Sequence, residues 1–171
     1  MQLLKYFNFK TKLDILDLGC GNARFAKFLT ENLNKSISIN YVGIDFSKDL
    51  LNLGTKELLK IQKERKNFKF KLINLNFIEE NFNLNKKFDL IVLFGVMHHI
   101  YDEKIRIILF NKINLLLNKN DQFIFTTWQF LNNERQRKKI LDLNSEKGKN
   151  ILEKFDLNKK YFKNNKDYIL S

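Results

Sequence analysis

A short apolar run, Leu13 to Leu18, passes directly into Gly19-Cys20-Gly21-Asn22 and then into a helix-patterned stretch. That order leaves a chain few ways to fold. An apolar run of this length, closed by a glycine turn, reads as a strand buried on both faces, as in a parallel sheet. The glycines let the backbone turn sharply and let a ligand approach it where a Cβ would stand in the way. The same rhythm of strand, turn and helix repeats downstream, so the chain reads as α/β. A mainly parallel sheet with helices on both faces and right-handed crossovers is expected.

Asn22 to Leu33 carries Phe25, Ala26, Phe28, Leu29 and Leu33 on one helical face. Ile37 to Phe46 is the second strand, and Ser47 is the N-cap of the helix after it. Leu50, Leu51, Leu58, Leu59 and Ile61 are expected on that helix's core side. Phe68 to Leu75 alternates with lysine, so the third strand lies nearer an edge. Phe88 to Phe94 is the fourth. Asp102 caps a helix through Leu117 with Ile105, Ile108, Leu109, Ile113 and Leu116 inward. Asn118 to Asp121 reads as a turn, Phe123 to Trp128 as the fifth strand, and Asn133 to Leu143 as a charged helix.

Residues 1–171 are expected to form one domain. A fifth strand left bare would be an aggregation hazard. Asp167 to Ser171 has the pattern of a further strand cut short, so a truncated or minimal form is expected. No apolar run approaches the length that spans a bilayer, and the start lacks a signal-peptide pattern. The lone cysteine, Cys20, excludes an internal disulfide and suits a reducing compartment. A cytoplasmic protein with no membrane partner is the expectation.

Three features beside the glycines point to a ligand at the carboxyl ends of the strands, where open α/β sheets bind. Asp17 precedes the turn. Asp45 ends the second strand, with Phe46 after it, and a carboxylate there can accept from both hydroxyls of a ribose. Asn76 and Phe77 end the third strand, placed for an adenine edge and ring, and Phe94 ends the fourth. A dinucleotide fingerprint needs a third glycine, and Arg24 and Phe25 stand near where it would fall.

Ile15-Leu16-Asp17-Leu18-Gly19-Cys20-Gly21-Asn22 resembles motif I of the class I S-adenosylmethionine-dependent methyltransferases, and Phe88-Asp89-Leu90-Ile91 resembles their fourth strand. The resemblance implies a Rossmann-like fold and S-adenosyl-L-methionine held by Asp17, Gly19, Cys20, Gly21, Asn22, Asp45, Phe46, Asn76, Phe77 and Phe94. Ala23 stands where many members have a third glycine, and Asn76 where many have aspartate. Val96-Met97-His98-His99-Ile100, with Thr127-Trp128-Gln129 and Asp167-Tyr168-Ile169-Leu170, resembles the tRNA wobble-uridine methyltransferases, which esterify a 5-carboxymethyl group. Some of that family use a small zinc-containing activator, but nothing in this sequence names such a subunit.

A net charge of +12 and a pI near 9.7 suit a polyanionic partner such as tRNA, although an AT-rich genome writes the same lysine-rich composition. An ionised carboxylate acceptor needs no general base. For a phenol or amine, His99 is the candidate base. Trp128 is a candidate for stacking on a base, and Arg135, with Arg137, Lys138 and Lys139, for holding phosphate. Core packing and a solvated helix face are the competing readings of those residues. His98 and His99 lack the partners of a metal site, and adjacent histidines on an extended segment point apart. Cys20 reads as a packing residue. Two other functions remain open: methylation of a quinone-like or carboxylate metabolite, and a non-catalytic cofactor-binding scaffold.

Overall fold

The computed structural model describes residues 10–78, 82, 84–100, 102–127, 134, 145, 146, 149 and 150. The chain divides into two compact units, Met1–Thr127 and Trp128–Ser171. In the second, the Lys149 amide donates to the Ser145 carbonyl at 2.9 Å, as in a helical turn. Of the expected helix at Asn133 to Leu143 only Glu134 is described, as helical and exposed, and the expected strand at Asp167 to Ser171 lies outside the described residues.

The first unit runs β1 (Lys12–Leu18), α1 (Arg24–Asn32), β2 (Ser38–Asp45), α2 (Lys48–Glu64), β3 (Phe68–Asn74), β4 (Phe88–Leu93), α3 (Glu103–Leu116) and β5 (Leu117–Phe125). The strands form one sheet in the order β3-β2-β1-β4-β5, and every pairing is parallel. This is the expected Rossmann-like α/β fold. The order reverses between β1 and β4, which places the ligand crevice at the carboxyl ends of those strands.

Alternate residues of the buried strands feed two core layers. Ile15, Ile39, Tyr41, Leu90 and Val92 pack with Ala26 and Leu29 of α1 and Leu51 and Leu58 of α2. Leu16, Leu18, Ile44, Ile91 and Leu93 pack on the other face with Leu109 and Ile113 of α3.

Both expected helix caps form. The Ser47 hydroxyl accepts from the Leu50 amide at 3.4 Å, and the Asp102 carboxylate from the Lys104 amide at 2.7 Å. Three expectations need correction. Leu50 and Leu59 of α2 are exposed, because the buried stripe is Leu51, Gly54 and Leu58. Gly54 draws that stripe in: a Cβ there would lie 3.1 Å from the Asn22 carbonyl carbon. Ile105 and Ile108 of α3 also face outward, since Leu109 and Ile113 carry the buried line.

The third correction concerns the tract Asn118 to Asp121, which lies within β5. Phe88 pairs with Leu117 and Leu90 with Gln122, so the tract loops out as a bulge. Asn120 supplies the left-handed residue, at φ 66°. Asn118 Nδ2 donates to Asp89 at 3.2 Å, and Lys10 Nζ donates to Asp121 at 2.9 Å, pinning the bulge.

Candidate active site

The turn after β1 is built by backbone contacts to β2. The amides of Gly19 and Cys20 both donate to the Ile44 carbonyl, at 2.8 and 3.1 Å. Gly19 has φ 75° and Gly21 φ 52°, a region that favours glycine. Gly19 is needed for a reason the sequence does not reveal. A Cβ there would lie 2.3 Å from Val96 Cγ2, so the protein's own loop after β4 fills that space. At Gly21 the nearest atom to an added Cβ is Leu50 Cδ1, at 3.8 Å. Of the two turn glycines, Gly21 is the one beside which the protein's own side chains leave room. Asn22 and Ala23 complete the turn. Ala23 is the N-cap at φ 60° and is nearly fully buried, so α1 begins at Arg24 rather than at Asn22.

Asp45 ties this turn to the end of β2. One carboxylate oxygen accepts from the Gly21 amide and the other from the Ser47 amide, each at 2.8 Å. A carboxylate has about four lone-pair sites, and these bonds use two. Phe46, the next residue, is 75% exposed and presents an aromatic face beside that carboxylate. Asn74 holds the strand end, donating to the Phe46 carbonyl at 2.8 Å. Asn76 lies half-buried past the end of β3, where its side-chain oxygen accepts from the Ile78 amide at 3.2 Å. Phe77 is buried in the core with Leu18 and Ile44, so its ring serves packing, and the exposed ring here is that of Phe46. Phe94 is half-buried, edge-on to Phe25 at 5.1 Å.

Beneath the turn, Asp17 is buried and accepts from the Tyr41 hydroxyl at 2.6 Å. Register Ile15↔Tyr41 and Asp17↔Gly43 puts both side chains on one sheet face. Gly43, beside Asp17, leaves room for Cys20 and Leu72, since a Cβ there would sit 2.7 Å from Cys20 Sγ and from Leu72 Cδ2. Asp17 is thus held inside the core by Tyr41 of β2. Burial drives the Cys20 thiol well above its ordinary range, with Asp17 and Asp45 adding to the effect. That disfavours the thiolate form a nucleophile needs.

Burial also raises the Asp17 carboxyl to about 7, against an ordinary 3.8, with the Tyr41 hydrogen bond opposing the rise. Folding therefore favours protonated Asp17. Its contribution to stability is full below the unfolded value and is lost as pH climbs through the folded one. We predict that the stability of the wild type relative to Asp17→Asn declines between pH 4 and 7. The slope is at most about 1.4 kcal/mol per pH unit. Urea unfolding of both proteins across that range checks this, and a pH-independent difference would count against a buried proton.

After β4 the chain turns at Gly95, at φ 70°, where an added Cβ would meet nothing within 4 Å. The Gly95 amide donates to the Thr126 hydroxyl at 2.8 Å, joining this loop to the end of β5. Met97–His99 forms a single 3-10 turn. The segment is therefore not extended as expected, and the His98 and His99 rings lie together, with centroids 4.0 Å apart. His99 is exposed and His98 half-buried. Burial lowers the His98 pKa, and the neighbouring His99 adds to this. Among the described residues no group of three His, Cys, Asp or Glu is placed to hold a metal. Trp128 and Arg135 lie outside the described residues.

The geometry thus brings Gly21, Asp45, Phe46 and Gly95 to one end of the sheet. Sequence reasoning missed Tyr41, Gly43, Val96 and Thr126. Their signal is the pairing register, which becomes legible only once the strands are aligned.

Solved structures share this fold. A S-adenosylmethionine-dependent methyltransferase from Methanosarcina mazei aligns with TM-score 0.59 at 17% identity, over 81% of this chain and 63% of its own. The glycopeptide N-methyltransferase MtfA, solved with S-adenosylmethionine, aligns with TM-score 0.56 at 18% identity, over 78% of this chain and 55% of its own. TehB from Haemophilus influenzae aligns with TM-score 0.55 at 15% identity, over 72% and 38%. In each case this chain spans less than two thirds of the neighbour's length. No curated protein matches it in sequence. Residues 9–168 match the family model of a methyltransferase domain, a span that takes in nearly the whole chain. The chain belongs to the methyltransferase domain family.

Proposed function

We propose that this chain binds S-adenosylmethionine at the carboxyl ends of β1, β2 and β3 and directs its methyl group to an acceptor on RNA. A tRNA uridine bearing a 5-carboxymethyl group is the specific acceptor proposed. The observation that carries the donor reading is the join of Asp45 to the Gly21 amide at 2.8 Å, beside the exposed ring of Phe46. A carboxylate with lone pairs to spare suits a pair of ribose hydroxyls, and an exposed aromatic face suits adenine. Half-buried Asn76 supplies an amide at the same strand ends.

The bound donor supplies an electrophilic methyl group on a sulfonium. The protein's task is then mainly to hold an acceptor in line with that methyl, and such positioning is worth on the order of 7–11 kcal/mol at best. The open space at Gly95 gives the acceptor a path. A carboxylate acceptor arrives ionised and asks for no base. For an amine or phenol, exposed His99 is the group on this side of the site able to take a proton. The acceptor class rests on the net charge of +12.

Titration calorimetry with S-adenosylmethionine tests the donor, and transfer of radiolabelled methyl to total tRNA tests the acceptor. We expect one binding site and label precipitating with tRNA. Absence of binding heat would sink the donor site. Label appearing only in a small-metabolite extract would replace RNA by a small acceptor.

A further inference from the structure

The crossover from β3 to β4, residues 75–87, shows no helix among its described residues. Ile78, Phe82 and Leu84 of this crossover pack against the core on the α3 side. The apolar rows on that sheet face are Leu16 with Val42, and Leu18 with Ile44 and Ile73, toward the carboxyl end of the strands. Toward the amino end the same face is polar. Pairing register puts Lys12 beside Ser38, the row Asp14, Asn40 and Lys69 on one line, and Val42 beside Lys71. Residues paired in this way project from the same side of a sheet. The Asn40 amide donating to Asp14 at 2.8 Å confirms it for that pair.

The charges on this face are not balanced. Asp14 is paired with Lys86, and Asp89 and Asp121 with Lys10. Lys12, Lys69 and Lys71 are exposed, and among the described residues no carboxylate pairs with them. Strands lie about 4.8 Å apart and residues on one face about 6.6 Å apart along a strand. Lys69 and Lys71 therefore spring from points about 6.6 Å apart, and Lys12 from a point roughly 12 Å from Lys69 and roughly 16 Å from Lys71, with the Ser38 hydroxyl and the Asn40 amide between them.

We propose that this open amino-end face of β1, β2 and β3 is an RNA-binding surface, with Lys12, Lys69 and Lys71 contacting phosphates. Lysines that neutralise phosphates release counterions and bind without regard to sequence. Ser38 and Asn40 add hydrogen-bonding groups of the kind that position a backbone. Among these residues there is no exposed apolar side chain to enter a bilayer, so a membrane fits the face less well. The surface lies at the opposite end of the strands from Asp45 and Gly95, so it anchors an RNA at a distance from the reacting end. It rests on the RNA reading above for its partner, and it is independent of the donor site.

The test is the affinity of the full chain for fluorescently labelled total tRNA, measured by anisotropy over a series of salt concentrations. Lys12→Gln/Lys69→Gln/Lys71→Gln is compared with wild type. Lys56→Gln/Lys60→Gln/Lys63→Gln on α2 removes the same charge from another exposed place. We expect the first variant to bind about tenfold or more weaker at 0.1 M salt. Its slope of log affinity against log salt should be shallower by about 2, as three lost phosphate contacts imply for single-stranded contacts. The α2 variant should lose much less, and both should bind S-adenosylmethionine as wild type does. Equal losses in the two variants, or an unchanged slope in the first, would overturn the surface while leaving the RNA reading intact. A wild type that binds no tRNA would overturn both. Binding to vesicles of anionic lipid in preference to tRNA would also overturn it.

Discussion

Arg65→Ala is expected to lower the unfolding free energy by about 3 kcal/mol or more, because one buried guanidinium gathers four backbone carbonyls. Arg65 follows α2 at its C-cap and is 6% exposed. Nη1 donates to the carbonyls of Thr30 and Leu33, at 3.0 and 3.2 Å. Nη2 donates to those of Asn34 and Ile37, at 2.8 and 2.7 Å. These carbonyls close α1 and lead into β2. The last carbonyls of a helix have no partner within it and carry its negative end, and α1 has no basic residue in its own last turn. Arg65 supplies that cation from another helix. Burial lowers its pKa, yet a guanidinium remains charged in the physiological range. Truncation strands the Thr30 and Leu33 carbonyls and opens a cavity, while the Asn34 carbonyl keeps the Ile37 amide and the Ile37 carbonyl keeps Asn67 Nδ2. For a chain of this size the loss corresponds to a fall in Tm of roughly 6–12 °C. Arg65→Lys should recover only part, since a single ammonium cannot span the four acceptors. Thermal unfolding of the three proteins decides it, and a drop under about 1 kcal/mol would show that water replaces the clamp.

Nothing local in the sequence marks Arg65, one of 31 basic residues. Its role arises from the meeting of α1, α2 and β2, a tertiary fact. The strands and the glycine turn were legible because their signal is local: an apolar run, two glycines and a helix pattern. The caps at Ser47 and Asp102 were legible for the same reason. The faces of α3 were not, because Ile105, Ile107, Ile108, Leu109, Phe110, Ile113, Leu115 and Leu116 leave almost no polar side to orient it. Packing chose Leu109 and Ile113, leaving Ile107, Ile108 and Leu115 exposed. The start of β5 was misread because asparagine and lysine are turn formers, and a bulge inside a strand uses the same residues. At the site, Asp17 and Gly19 have contacts within the protein that the sequence does not reveal. Their residue types suit a ligand, but their partners are Tyr41 and Val96. The motif contains residues whose space the protein's own side chains fill and residues beside which room is left, and only the fold separates them.

That separation makes Asp45 the decisive position. Asp45→Ala is expected to weaken S-adenosylmethionine binding by two orders of magnitude or more. Hydrogen bonds donated by two ribose hydroxyls to a carboxylate are worth about 1.5–3 kcal/mol each, and every 1.4 kcal/mol is tenfold in affinity. The same substitution releases the Gly21 and Ser47 amides, so the turn loosens as well. Asp45→Asn separates these effects. Its one remaining oxygen can still accept from an amide of the turn, while the charge and the second acceptor are lost. If the carboxylate acts mainly through the ribose, the asparagine variant keeps most of the wild-type Tm yet loses most of the affinity. If it acts mainly by shaping the turn, affinity follows Tm in both variants. Wild-type affinity in Asp45→Ala would remove the ribose assignment altogether, and the exposed ring of Phe46 would then be the feature left to explain how the donor is held.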